Sequence, residues 1–168
     1  MNTRLIPGTM LGLAALAVIP GLSCRWLAAE QPPRRKYVYQ IPAGFRGWVK
    51  VEYSSPTCSA LEDRDGHRVV DIGADGTACT RHSRAEGWTN AEVRYQRDQA
   101  IAEAPKGTGA CCQPAVLPKG VDPEAVFVWW GMGWTCRKIE IRTFFVGTID
   151  EYNKSRGDWQ KFSCGDVS

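Results

Sequence analysis

The chain has 168 residues, of which 43% are hydrophobic and 23% charged, a composition that suits one globular domain with a buried core. The net charge of +3 is small, and basic residues are interleaved with acidic ones, which excludes the continuous basic surface of a nucleic-acid-binding protein. Seven cysteines are many for this length; behind an export signal they predict a disulfide framework.

Residues 1–23 have the organisation of a signal peptide. Arg4 precedes an uncharged apolar run, and the uninterrupted part of that run, from Met10 to Ile19, is too short to span a bilayer comfortably. Glycine and proline occur at both ends of the run. We therefore expect residues 1–23 to direct export and to be removed, a retained membrane anchor being the alternative.

The segment Gly21-Leu22-Ser23-Cys24 resembles the lipobox of bacterial lipoproteins, in which a small residue precedes a cysteine that is lipidated and becomes the new N-terminus. Lipidation of Cys24 leaves an even number of cysteines, and it predicts a cell-envelope protein anchored in the membrane by lipid. Pro20 and Gly21 depart from the usual pattern, so ordinary cleavage to a secreted or periplasmic protein is the alternative. Residues 24–36 then form a flexible tether.

From Tyr37 onward, apolar and polar residues alternate in short stretches separated by turn residues, which predicts strands with one dry and one wet face. The predicted strands are Tyr37–Ile41, Arg46–Tyr53, Arg68–Ile72, Thr77–Thr80, Ala91–Arg97, Val126–Trp130 and Cys136–Gly147. Asp65-Gly66 and Gly73–Gly76 are turn signals, and the Gly- and Pro-rich segment from Ala104 to Pro123 is a predicted loop.

After the last predicted strand, the spacing of the apolar residues changes from that of a strand to that of a helix. Thr148 and Glu151 form a capping box, which predicts one helix over about Ile149–Lys161 although Gly157 lies inside it. About seven short strands with turns between them predict a mainly β domain over residues 37–168, an antiparallel β-sandwich with one C-terminal helix, stabilised by disulfides. The residues expected between the two sheets are Val49, Val51, Tyr53, Val93, Tyr95, Ile139, Ile141 and Phe145.

Three segments carry a resemblance to a known family: YQIPAGFRGWVKVEY, DGHRVVDIGADGTACT and FFVGTIDEY. They resemble an uncharacterised bacterial family, a domain of unknown function in exported and lipid-anchored proteins, over most of Tyr37–Tyr152. The resemblance implies an exported β-domain and brings no assigned activity, catalytic residue or cofactor.

The stretch from Trp129 to Trp134 concentrates three tryptophans and two glycines. Trp129 and Trp130 should face opposite sides of a strand, and Gly131 and Gly133 should bring the backbone close to its neighbours. Trp129, Trp130 and Trp134 are a possible surface for stacking on sugar rings or a peptide. Packing in the core or under the disulfide loop is the favoured interpretation, since tryptophan is buried on average.

The six cysteines after Cys24 allow 15 pairings. We expect Cys58 to pair with Cys79, because the segment ending at Cys79 should fold back beside Cys58. A bond between the adjacent Cys111 and Cys112 needs a strained ring, so each should pair elsewhere, one with Cys136 and the other with Cys164.

Known catalytic motifs are missing from the sequence, including a nucleophile elbow and a zinc-protease helix, and its cysteine and histidine spacings fit no zinc pattern. We therefore expect no metal and no cofactor. The predicted function is an exported, lipid-anchored, non-catalytic β-domain of the bacterial cell envelope that has a structural role or binds another envelope protein or a glycan. The alternative is a small envelope hydrolase acting on glycan or peptide.

Overall fold

The computed structural model describes residues 36–84, 91–96, 99–108, 114–162 and 164. All of them belong to the second of the two units into which the chain divides, Arg34–Ser168. Cys24, Cys111 and Cys112 lie outside the described residues, as do the predicted signal peptide and nearly all of the predicted tether.

Within the described residues, nine strands form two sheets. In chain order they are β1 (Tyr37–Ile41), β2 (Gly47–Tyr53), β3 (Glu62–Arg64), β4 (His67–Asp71), β5 (Thr77–Cys79), β6 (Ala91–Tyr95), β7 (Ala102–Glu103), β8 (Phe127–Cys136) and β9 (Ile139–Gly147). One sheet has the strand order β3-β4-β1-β6 and the other has the order β5-β2-β9-β8-β7. The mainly β class is confirmed. The short strands β3 and β7 were not predicted because both are exposed and show no apolar alternation.

Both sheets are mixed, whereas the sequence predicted antiparallel pairing throughout. β9 pairs antiparallel with β2 and β8, and β3 with β4, but β1 runs parallel to both of its neighbours. β2 with β5 and β7 with β8 are also parallel. The chain passes from one sheet to the other between β1 and β2, and again after β2, β4, β5 and β6. A strand that returns after such an excursion can lie parallel to its neighbour, since no tight hairpin connects the two.

The two sheets enclose one apolar core. The inward residues of β2 are those predicted, Val49, Val51 and Tyr53. On β1 the alternation in the sequence places Tyr37, Tyr39 and Ile41 on one side, and that side is also inward. The hydroxyl groups of Tyr39 and Tyr53 lie 2.6 Å apart and share a hydrogen bond across the core. Burial raises the pKa of Tyr39 to about 12 and raises the pKa of Tyr53 well above its usual value. Both phenols therefore remain protonated at neutral pH, and their shared bond satisfies polar groups that water cannot reach.

The faces of β9 are the reverse of the prediction. Phe144 and Val146 belong to the core between the sheets, and Phe145 belongs to a second apolar cluster on the outer face of the five-stranded sheet. Ile141 is fully buried and lies on the same outer face, because it pairs with Glu52 on β2. Val49, Val51, Tyr53 and Val93 lie between the sheets as predicted, and Tyr95 packs against that core.

The second apolar cluster explains this reversal, because it buries the outer face of the five-stranded sheet as well. It contains Ala115, Phe127, Trp129, Phe145 and Ile149, with Trp48 and Tyr152 packed against them. Helix α1 (Ile149–Ser155) and the segment from Ala115 to Ala125 supply its outer layer. A strand covered on both sides has no wet face, so alternation on β9 cannot identify which layer each residue meets.

The capping box at the start of α1 is confirmed. The Thr148 hydroxyl accepts from the Glu151 N–H at 3.3 Å, and the Glu151 carboxylate accepts from the Thr148 N–H at 2.8 Å. The helix ends at Ser155, short of the predicted Lys161, and a 3₁₀ helix (Asp158–Phe162) follows. Gly157 lies in the turn between them. Its low helix propensity explains why the chain stops being helical there.

Candidate ligand-binding site

A β-bulge in β8 decides where the three tryptophans point. Trp130 pairs with Phe144 and Gly133 with Arg142, so that two residues of β8, Gly131 and Met132, face one residue of β9. The Thr143 hydroxyl donates to the Met132 carbonyl at 3.0 Å and holds the bulge. The extra residue changes the alternation, as bulges do. Trp129 and Trp134 therefore share the outer face, and Trp130 occupies the inner one.

Trp129 is part of the outer apolar cluster. Only 4% of it is exposed, and its ring stacks on Tyr152 with 4.6 Å between centroids and planes inclined by 7°. Its indole N–H donates to the Gly147 carbonyl at 3.1 Å. A tryptophan with its ring covered and its polar atom satisfied is a packing residue, so Trp129 does not belong to a ligand surface.

Trp130 packs at the edge of the core between the sheets. It is half-buried, and its ring contacts Tyr39 and Phe144 with centroids 6.2 Å and 5.4 Å apart. Trp129 and Trp130 thus face opposite sides of β8, as the sequence predicts.

The two glycines make this packing possible. A Cβ atom on Gly131 would lie 2.6 Å from the Thr143 hydroxyl oxygen and 3.0 Å from the Trp48 ring, and one on Gly133 would overlap the Arg142 side chain. Gly131 and Gly133 therefore bring the backbone close to protein side chains, as predicted. Those neighbours account for both glycines without a ligand.

Trp134 lies in a different environment. It is half-buried, and its ring faces Trp159 of the 3₁₀ helix at 6.0 Å between centroids and 53° between planes. The two rings line an open surface pocket of about 350 Å³ with Gln160 and Cys164. The lining residues that the structure describes are uncharged. Trp134 is thus the predicted tryptophan that lines this pocket.

Trp159 and Gln160 were not identified from the sequence. The predicted continuous helix gave Trp159 no special position, and the predicted cysteine pairing left Cys164 away from Cys136. The bond between Cys136 and Cys164 brings the C-terminal segment against Trp134. Predicting this cysteine pair from the sequence would have revealed the pocket.

Two disulfide bonds occur in the described part of the chain. Cys58 pairs with Cys79 with 5.8 Å between their Cα atoms, as predicted. Cys136 pairs with Cys164 with a Cα separation of 5.6 Å, so the prediction that each of them bonds to Cys111 or Cys112 is wrong. Cys136 begins the β8–β9 turn at one edge of the outer face, and the 3₁₀ helix brings Cys164 back to that edge. The helical segment and β8 are thereby joined beside Trp134.

The two histidines have different surroundings. His82 Nδ1 accepts from the Leu61 N–H at 3.0 Å, so His82 fixes a loop. His67 begins β4, and its buried Nδ1 atom has no hydrogen-bond partner. Among the described residues, no group of three or more histidine, cysteine or acidic side chains could hold a metal ion.

The polar end of the inter-sheet layer carries a group of ion pairs. Glu140 accepts from Arg84 at 2.7 Å and from Arg142 Nε at 3.1 Å. Glu140 pairs with Tyr53 across β2 and β9 and so lies on the inner face. Glu140 is thus held in ion pairs with two arginines.

Residues 34–99 match the family of unknown function DUF6843. The match spans the first two segments that carry the resemblance and ends before FFVGTIDEY. No curated protein matches the chain. One solved structure, described as a "Putative Lipoprotein from Bacillus anthracis", is 18% identical, covers 67% of this chain and 68% of its own chain, and has a TM-score of 0.40.

No helix within the described part of the chain is long and apolar enough to cross a bilayer.

Proposed function

We propose that the protein is an exported, lipid-anchored, non-catalytic β-domain of the bacterial cell envelope, held to the membrane through Cys24 and acting by binding another envelope component or by a structural role. The observation that carries this proposal is the use of its cysteines. Four form the disulfides Cys58–Cys79 and Cys136–Cys164, and bonds of this kind persist in oxidising compartments outside the cytosol.

The N-terminal sequence supports the same location. Cys24 stands where a lipobox cysteine stands, directly after an apolar run of signal-peptide length. Acyl chains on this cysteine would provide the anchor, since each buried methylene adds about 0.8 kcal/mol of membrane affinity.

A binding role fits the pocket better than hydrolysis does. Glycoside hydrolysis needs two carboxyl groups on either side of the bond to be cut. Among the residues that the structure describes, Trp134, Trp159, Gln160 and Cys164 line the pocket, and none of these is a carboxylic acid. The alternative of a small envelope hydrolase therefore gains no support from this pocket.

Metabolic labelling with an alkyne-bearing fatty acid tests the anchor. The full-length protein should incorporate the label, and Cys24→Ser should abolish it because the acylated thiol is gone. Ser23→Ala is the matched control: it keeps a small residue before Cys24 and should still be labelled. Undiminished label in Cys24→Ser, or absence of label in the unmodified protein, would refute lipidation at Cys24.

An activity assay tests the non-catalytic part of the proposal. The purified full-length protein should release neither reducing ends nor peptides from isolated bacterial cell wall. Steady release with multiple turnovers would instead support the hydrolase.

A further inference from the structure

The tryptophans on the outer face of the five-stranded sheet differ in how their indole N–H groups are used. Trp48 and Trp129 donate to the carbonyls of Ser155 and Gly147 at 2.8 Å and 3.1 Å. In the described part of the chain, Trp134 and Trp159 make a ring contact with each other, and neither indole N–H has an acceptor. Trp134 and Trp159 are half-buried, so their N–H groups stay open to solvent and remain available to a ligand in the pocket that both residues line.

The lining of the pocket restricts the chemistry of that ligand. Two tryptophan side chains and Gln160 line about 350 Å³ of mostly apolar surface, near the lower end of the range of about 300–1,000 Å³ for small-ligand sites. The ion pair on neighbouring β2, Lys50 with Glu52 at 3.0 Å, is neutral as a unit. These features match an uncharged molecule that has an apolar face and a polar edge.

We propose that the pocket lined by Trp134 and Trp159 binds a neutral sugar ring of a glycan. The C–H groups on one face of a pyranose ring pack on the electron-rich face of an indole, and its hydroxyl groups reach the indole N–H donors and Gln160. An apolar peptide side chain would cover the same donors without bonding to them, which carries a desolvation penalty. This inference rests on the proposed function, because an envelope location places the pocket beside cell-surface glycans.

The disulfide Cys136–Cys164 holds the two walls of this pocket together. Trp134 belongs to β8, and Trp159 belongs to a 3₁₀ helix in which no residue is buried. Because no residue of that helix is buried, the covalent bond Cys136–Cys164 helps to restrain the distance between the two rings. Sugar binding should therefore depend on this disulfide, because a preorganised site avoids the entropic cost of assembling its walls.

Calorimetric titration of the full-length protein in detergent micelles tests the proposal, with triacetylchitotriose and cellotriose as neutral probes. At least one trisaccharide should bind. Trp159→Ala should raise its Kd about tenfold or more, and Trp159→Phe, which keeps a ring and removes the N–H, should raise it less. Met132→Ala is the matched control, since Met132 is exposed on the same strand and does not line the pocket.

A second pair of variants tests the disulfide. Replacing Cys136 and Cys164 together by alanine should weaken binding, whereas replacing Cys58 and Cys79 together should leave it nearly unchanged. Near-ultraviolet circular dichroism on each variant verifies that it folds, and Gln160→Ala, which alters an exposed side chain, should still weaken binding measurably.

Three results would overturn the inference: neither trisaccharide binds, binding is indifferent to Trp159→Ala, or an acetylated leucyl-phenylalanine amide binds in the pocket and neither trisaccharide displaces it. A protein that is labelled at Cys24 but binds no trisaccharide contradicts this inference alone. A protein that binds sugar but carries no lipid contradicts the proposed anchor alone.

Discussion

Replacing Gly131 by alanine should destabilise the fold, because the bulge leaves no room for a methyl group. The new Cβ atom would lie 2.6 Å from Thr143 Oγ1, 2.9 Å from the Thr143 carbonyl oxygen and 3.0 Å from the Trp48 ring. Thr143 is fully buried, and its hydroxyl is committed to the Met132 carbonyl. The clash must therefore be relieved by moving backbone within a packed sheet.

The size of the effect follows from two opposing contributions. Overpacking of this kind costs about 1–3 kcal/mol. Removing glycine from a strand interior recovers roughly 0.5–1 kcal/mol, because the unfolded chain loses less freedom on folding. With the middle of each range, the free energy of unfolding should consequently fall by about 1 kcal/mol.

Urea denaturation followed by tryptophan fluorescence measures this change as a lower midpoint with an unaltered slope. Gly157→Ala is the matched control: a Cβ atom there meets nothing within 4 Å, and the residue does not need a positive φ. The control should be neutral or slightly stabilising. A Gly131→Ala protein as stable as the unmodified chain would show that the bulge is not packed as described.

Three further predictions address the packing and the charges. Trp129→Ala should lower the free energy of unfolding by about 3–5 kcal/mol, the usual cost of removing a buried aromatic side chain. Trp134→Ala should cost clearly less, because Trp134 is half-buried. Equal losses on urea denaturation would contradict the assignment of Trp129 to the packed interior and of Trp134 to the pocket. Asn153→Ala should loosen the segment after Ala115, because the Asn153 side-chain amide accepts from the Ala115 N–H at 2.8 Å and donates to the Ala115 carbonyl at 3.1 Å. Limited proteolysis should cut this segment faster in the variant. An unchanged cleavage rate would show that Asn153 does not hold the segment in place. Hydrogen bonds from Arg94 and Lys36 lower the pKa of Glu92 to about 2. This carboxylate therefore stabilises the fold above the unfolded pKa of about 4.3, and the stabilisation is lost as the pH falls toward 2. Glu92→Gln should flatten the decline of the urea midpoint between these pH values, and a parallel decline in both proteins would contradict the assignment.

Alternation identified the buried faces of β1 and β2 from the sequence, but it failed on β9. β1 and β2 each turn one strongly apolar face toward the core between the sheets. The alternation of every second residue in the sequence identifies that face. On β9 the run Thr143-Phe144-Phe145-Val146 is buried throughout, because another layer covers each side. Deciding which side meets the helix requires the strand order, and the local sequence does not contain it.

The strand directions and the pocket depend on long-range organisation for a related reason. Parallel pairing arises because the chain changes sheets between most consecutive strands, and turn residues do not encode that route. The bulge at Gly131 and Met132 alters which tryptophans share a face. The Cys136–Cys164 bond then brings Trp159 to Trp134. The predicted packing of Trp129 was within reach of sequence reasoning, and the partner of Trp134 was not.

The central claim is that the protein is a lipid-anchored envelope domain, and the mass of its mature N-terminus tests it most directly. Mass spectrometry of the N-terminal peptide, from protein purified out of membranes of its own host, should find Cys24 as the first residue with a diacylglyceryl group on its sulfur. Residues 1–23 should be missing from the mature protein. An N-terminus at any other residue, or an unmodified Cys24 on the mature protein, would contradict the account.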